Sequence, residues 1–574
     1  MINVENKSFN LTTDPWIKVI EAGSNQEKKV SLIELFENAQ DYRQLAGDMR
    51  SQDLAILRLL LAILTTVYLR VDATDHPYSW LDNPVEDDDE FDDGDDNSER
   101  DLLTTWQDLQ QAGHFSSAVT QYLKDHTDDF NFFGDRPFYQ VTATDYDALV
   151  PKNKQIAAGK GQVLVKQLNR RVSESANTPS IFAPKTGEAK SKLALDELVR
   201  WVITYQNYAG VTDKTKIETD EKFSNPAGWV YRLNPVFAKG NSLFKTLMLN
   251  LVLVNDWQDD VVYAAPKPVW EFKSVQAYIA HRKAQILPDN LPELYTAWSR
   301  ILHIEWGTSG VRIFSAGVPM YGSENALIEP MTTWRFDKKT TEYRPAVKGL
   351  RSLGIAMWRN FGQYVNVRRA DDVHEPGIVV WLRRLKHEKL IAADAPLILD
   401  NVALISDGNA TSQSPAAEVA DDMQLQTDVL FDQEDRWPVR IEEAITVTQT
   451  VGTDYYHFAS DIGQIRNLDV RTFAGGMSAK FYDRLNEPFK EWLAGLSSDD
   501  DRDTKISQWK QQLERIVIAT VDDVMQASSP RDIAGIAGKK GPLNIFTAKN
   551  HLMYNVRTHL DLKKGVTKTD GKSN

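Results

Sequence analysis

The chain contains no cysteine in its 574 residues. That excludes disulfides, thiolate metal sites, iron–sulfur ligation and a cysteine nucleophile, and it fits a reducing compartment. Histidine is scarce too, ten residues scattered along the chain. His551 and His559 share one helical stretch, but their spacing sets them two turns and about 12 Å apart, too far to hold one metal. There is no zinc-protease pattern, no Walker phosphate loop and no GxSxG elbow. Long hydrophobic runs are also missing. The most apolar stretch, LAILRLLLAILTTVYL at 54–69, is short for a membrane span and carries Arg58. It reads as a buried helix. The opening MINVENKSFNLTTDPW lacks a basic segment followed by an apolar run, so no secretion signal is expected. These absences favour a cytoplasmic protein with no membrane partner, no metal and no cofactor. They also favour a binding or scaffold protein over an enzyme.

The residues that are present suit a large folded protein. A hydrophobic fraction of 42%, with 15 tryptophans and 22 phenylalanines, supplies ample core, and the length suggests two or more domains. The net charge of −15 argues against broad nucleic-acid binding, but the charge is unevenly placed. EDDDEFDDGDD at 86–96 concentrates acid in what is ordinarily a solvated loop. Basic clusters stand elsewhere: KQLNRR (166–171), RFDKK (335–339), GKKG (538–541) and a lysine-bearing tail from Lys563.

Patterning predicts an α+β protein: a large mixed α/β N-terminal domain, residues 1–426, and a C-terminal four-helix bundle with a basic tail, residues 427–574. Strand-like text around Asp14-Pro15 opens the chain, and helical text follows at 51–70, 101–124, 193–208 and 241–255. Residues 300–405 mix strands with a predicted helix over 349–365, without a βαβ repeat. Apolar residues at helical spacing, such as Trp509, Leu513, Ile516 and Val517, mark helices near 434–464, 476–495, 503–527 and 544–561. LSSDDDRD at 496–503 supplies a helix start.

NLTTDPWIKV (10–19), RPFYQV (136–141), KPVWEF (267–272) and FYDRLNEPFKEWL (481–493) follow one another in an order that resembles the large-subunit (CasA) family of the type I-E CRISPR Cascade surveillance complex. The resemblance implies a non-catalytic subunit that recognises the PAM in double-stranded DNA. It also implies help in opening the duplex into an R-loop and recruitment of a helicase-nuclease. Its partners would be other Cascade subunits, a guide CRISPR RNA and target DNA. The resemblance implies a wedge loop at ISDGNATSQSPA (405–416), with Gln413 inserted at the base stack between small neighbours Ser412 and Ser414. It implies a PAM-reading loop at YQNYAGVTDKTK (205–216), built on Gly210 with Asn207 and Tyr208. It also implies a loop at 173–190 that meets guide RNA and neighbouring subunits through Asn177, Ile181 and Phe182, and phosphate contacts from Lys338 and Lys339. The family's PAM-reaching lysine has no counterpart in GVPMYGSENALIEP (317–330).

Bland readings stand beside these. Residues 406–418 also read as a linker, Gly210 as a helix C-cap, Phe182 as packed on its own domain, and Lys338–Lys339 as an exposed turn. A freestanding hydrolase with an unrecognised site, and an acidic scaffold or nucleic-acid mimic using 86–96, are the functional alternatives.

Overall fold

Leu54 through Tyr68 are buried without a break, because the helix Arg50–Tyr68 is apolar on every side. It is long and apolar enough to cross a membrane, but it lies inside the protein as a core helix. The computed structural model describes residues 8–81, 94–168, 193–210, 214–224, 226–255, 257, 265–284, 287–307, 310–365, 367, 372–406, 415–432, 437–538 and 541–562. The chain forms two compact units: Met1–Leu353, Ala370–Leu390 and Leu399–Asp421 make the first, and Gly354–Arg369, Ile391–Ile398 and Asp422–Asn574 the second.

In the first unit, strand Ile17–Glu21 sits between Glu27–Val30 and Tyr42–Leu45, antiparallel to both, with Val19 opposite Lys28 and Leu45. A long hairpin, Arg300–Gly307 with Gly310–Gly317, pairs Ile304 with Ile313 and borders Gln162–Val163. A smaller sheet orders Val373–His374, Trp334–Asp337 and Glu342–Pro345. A further sheet has the strand order Pro415–Gln426, Pro396–Ser406, Val236–Lys239, of which Pro415–Asp421, Leu399–Ser406 and Val236–Lys239 fall in this unit. The mixed α+β class read from the sequence is what the structure has.

The central helix carries a charge into this core. Arg58 and Glu329, both fully buried, form a two-pronged ion pair at 2.9 and 2.8 Å. The Glu329 carboxylate also accepts from the Trp229 indole (2.6 Å) and the Met331 amide (3.0 Å). The guanidinium lies 4.2 Å from the centre of the Tyr295 ring. Every carboxylate oxygen is therefore satisfied, which a buried charge requires.

The second unit holds helices Trp437–Ile465, Val470–Ala494, Arg502–Gln526 and Ile545–His559. Trp509, Leu513 and Val517 are buried at the spacing read from the sequence, while Ile516 is only half-buried; Phe481, Leu485 and Phe489 are buried on the helix before them. Asp501 caps the third helix by accepting from the Thr504 amide. The segment 349–365 departs from its predicted helix. It makes short helical turns at Leu350–Ser352, Met357–Asn360 and Phe361–Tyr364. Gly354, at φ +74°, turns the chain left-handed and ends any continuous helix there. Trp358 then stacks on Phe489 with ring centres 4.1 Å apart.

Removing one partner of the buried pair strands the other. Arg58→Met should destabilise the chain by about 3–5 kcal/mol in urea unfolding, and R58M/E329Q should recover most of that loss. Equal losses in the single and double variants would contradict this account.

Candidate nucleic-acid interface

Strands Pro396–Ser406 and Pro415–Gln426 flank the stretch singled out for a wedge. Gln413, Ser412 and Ser414 lie outside the described residues, but the strands that carry them are firmly held. Both oxygens of Glu418 accept from the backbone of the central helix's first turn, Arg50 N at 3.2 Å and Ser51 N at 2.9 Å. Met49, at the N-cap position, offers no side-chain cap. Glu418 thus supplies from a distant strand the anion that an open helix N-terminus favours. On the neighbouring strand, Asp400 pairs with the Arg50 guanidinium at 2.5 Å. Asn401, fully buried, donates to Asn234 Oδ1 and the Pro235 carbonyl and accepts from Lys348 Nζ. Burial lowers the Lys348 ammonium to about 8, partly opposed by Asp421.

One more acid sits at this junction. Asp53 accepts from the Gly47 amide at 2.7 Å. Burial raises its carboxyl to about 7; the Gly47 hydrogen bond and Arg50 oppose the rise, and Glu418 and Asp400 add to it.

The residues expected to form a PAM loop begin at the end of a helix, Leu195–Tyr208. Asn207 and Tyr208 are its last residues and both are buried. The Asn207 amide donates to the Ile203 carbonyl at 3.1 Å. The Tyr208 hydroxyl is buried without a hydrogen-bond partner among the described residues, and burial, then the nearby Glu418 charge, raises its pKa. Ala209 is the C-cap, so Gly210, buried as well, follows the cap. Gly228 closes on this helix end, its amide donating to the Ala209 carbonyl at 2.8 Å. A side chain there would stand 2.1 Å from the Asn207 carbonyl oxygen. Gly317 exchanges hydrogen bonds with Thr215 and Ile217. The fold thereby brings together two segments singled out separately in the sequence, 205–216 and 317–330.

Lys338 and Lys339 are exposed at the turn between strands Trp334–Asp337 and Glu342–Pro345. Asp337 shapes the turn, accepting from the Lys339 amide at 2.9 Å. Thr341 takes a left-handed φ of 59°. Arg335 and Arg344 stand directly opposite each other across the two strands, the charge of Arg344 being offset by Asp337 at 3.9 Å and Glu342 at 3.6 Å. Arg335, Lys338 and Lys339 form no ion pair among the described residues, so this hairpin presents basic groups to solvent.

Asn177, Ile181 and Phe182 lie outside the described residues, as does the acidic run up to residue 93. Among the described residues no group of three or more His, Asp or Glu side chains is placed to hold a metal. Sequence reading passed over Glu418, Asp53 and Lys348. Glu418 acts on partners 367 and 368 positions away, and no local pattern signals that.

A family model described as CRISPR-associated protein Cse1 matches residues 10–520. In fold the chain is similar to Cse1 from Thermobifida fusca, with 22% identity, TM-score 0.76, and 98% of this chain and 100% of that one covered. It is also similar to CasA (Cse1) from Thermus thermophilus, with 16% identity, TM-score 0.66, and 96% and 99% covered. A chain of a CRISPR RNA-guided surveillance complex matches with 14% identity, TM-score 0.65, and 96% and 99% covered. No curated protein sequence matches it.

The Asp53 environment fixes a pH dependence. Its folded-state pKa of about 7 exceeds the unfolded value of about 3.9, so the folded state favours the neutral acid. The wild type loses stability from this group as pH rises from about 4 to 7, and the cost is complete above that range. Asp53→Asn removes the titration. Relative to wild type, its stability should improve between pH 4 and pH 8 by about 4 kcal/mol at most, read as a widening gap in melting temperature. A gap independent of pH would contradict the assignment.

Proposed function

That this chain belongs to the CRISPR-associated protein Cse1 family is the premise from which we propose its function: the large subunit of a type I-E CRISPR surveillance complex. In this reading it recognises the PAM in double-stranded DNA, helps open the duplex for guide-RNA pairing and recruits a helicase-nuclease. It works in the cytoplasm with the other Cascade subunits and the guide RNA, and it performs no catalytic step itself. Residues 1–426 do the DNA and RNA work, and residues 427–574 form the accompanying bundle.

The observation that carries this reading is the anchoring of the two strands on either side of 407–414. A side chain that separates stacked bases must withstand the few kcal/mol that unstacking costs, so its supports must not yield. Glu418 on the helix N-terminus, Asp400 on Arg50 and Asn401 in the core supply such supports on both strands. Gln413 is the proposed wedge, with Ser412 and Ser414 as small neighbours that permit close approach. Gly210, itself buried in this structure, is the proposed PAM contact through its backbone. Asn207 and Tyr208, buried in this structure, are assigned to holding that backbone in place. Asn177, Ile181 and Phe182 are assigned to guide-RNA and subunit contacts, and Lys338 and Lys339 to phosphate.

The test uses the reconstituted complex with a PAM-bearing duplex. Gln413→Ala should leave assembly intact and abolish or strongly slow duplex opening, read by the reactivity of unpaired thymines; unchanged opening would return 406–418 to a linker. K338A/K339A should weaken binding for all sequences alike. It should also reduce the slope of log affinity against log salt by about 0.9 per lost phosphate contact. An unchanged slope would remove these lysines from the interface.

A further inference from the structure

RPFYQV and KPVWEF, two stretches that carry the family resemblance, lie some 130 positions apart and line one cavity in the first unit. The cavity measures about 210 Å³ and is bordered by Phe138, Tyr139, Trp270, Phe272, Tyr278 and Trp298. The rings form a connected wall: Tyr139–Trp298 at 6.3 Å, Trp298–Tyr278 at 5.4 Å and Tyr278–Phe272 at 5.2 Å between centres. Arg136 clamps the two stretches together, donating to the Trp270 and Phe272 carbonyls and pairing with Asp129 at 3.1 Å. Its charge is thereby spent.

Tyr139 holds a left-handed φ of 55°. Such backbone costs a non-glycine residue about 1–3 kcal/mol and concentrates at binding sites. The remaining polar groups are open to an occupant. Gln140, 3% exposed, spends its amide N–H groups on the Phe132 and Phe138 carbonyls. Its amide oxygen has no partner among the described residues, and neither has the indole N–H of Trp298, which is 7% exposed. At the rim Asp135 forms no ion pair among the described residues, and Asp145 accepts only from neutral groups, Thr142 and Gln276. Among the lining side chains Lys273 is the one cation not already engaged, so they carry an excess of negative charge; Lys267, outside the lining, rests its ammonium 4.3 Å from the centre of the Phe272 ring.

We propose that this aromatic cavity binds a single cationic side chain, arginine by preference, presented by a protein partner. Ring faces attract a guanidinium, most strongly where water is excluded. The unpartnered Gln140 oxygen and the Asp135 and Asp145 carboxylates are acceptors suited to its five donors. The same aromatic walls could stack a nucleobase, but the acidic rim repels the phosphate that accompanies one. The assignment is independent of the DNA-reading proposal, since none of its residues belongs to that interface.

The full chain is titrated with acetyl-arginine amide, its uncharged isostere acetyl-citrulline amide, and adenosine monophosphate, followed by saturation-transfer NMR. Arginine amide should bind saturably and at least about fivefold more tightly than the citrulline compound. Asp135→Asn, a change on the exposed rim, should weaken arginine binding without shifting the melting temperature. Trp298→Phe should weaken it through the cavity wall. Equal binding of arginine and citrulline probes, preference for the nucleotide, or no saturable binding of arginine amide would each overturn the proposal.

Discussion

A guanidinium and a carboxylate shut away from water, Arg58 and Glu329, form the constraint on which the first unit depends. Desolvating two charges costs several kcal/mol per ion, recovered only when every acceptor is filled and the geometry is fixed. Here the carboxylate takes hydrogen bonds from Arg58, the Trp229 indole and the Met331 amide. The pair therefore fixes the central helix against residues 329–331 and Trp229. From the helix's N-terminus, Glu418 and Asp400 hold the hairpin that flanks 407–414. From the other side, Gly228 and Gly317 hold the end of helix Leu195–Tyr208 and the strand-like residues 215–217. The proposed wedge and the proposed PAM loop thus share one frame.

The charge distribution fits this division of labour. A chain of net charge −15 gains little from unspecific attraction to DNA. Its basic groups gather in small places such as the hairpin bearing Arg335, Lys338 and Lys339, where the proposed phosphate contacts would orient a duplex without carrying sequence information. Junction residues tune the same frame by burial: Asp53 is held toward its neutral form and Lys348 below the ordinary ammonium range.

Much of the architecture was legible in the sequence, for physical reasons that differ by element. The bundle helices announced themselves through apolar spacing and through Asp501 at a helix start. The central helix was legible because its uninterrupted apolar text could only be buried. The 349–365 segment carries apolar residues at helical spacing, yet the left-handed backbone of Gly354 breaks the helix there. The Lys338–Lys339 turn lies between two strands, as its text suggested. Asn207 and Tyr208 were less legible as site residues: a loop reading overlapped a helical one, and the helix extends through both. Glu418 was invisible because its role is set by tertiary structure, which joins a strand to a helix start in another part of the chain.

The most direct test of the account is PAM discrimination by the reconstituted guide-RNA complex, assembled with and without this chain and challenged with a duplex library randomised beside a matched target. With the chain present, bound duplexes should be enriched for one short flanking sequence, and without it that enrichment should vanish while pairing to single-stranded target persists. Equal enrichment in both preparations would place PAM reading in another subunit and contradict the account.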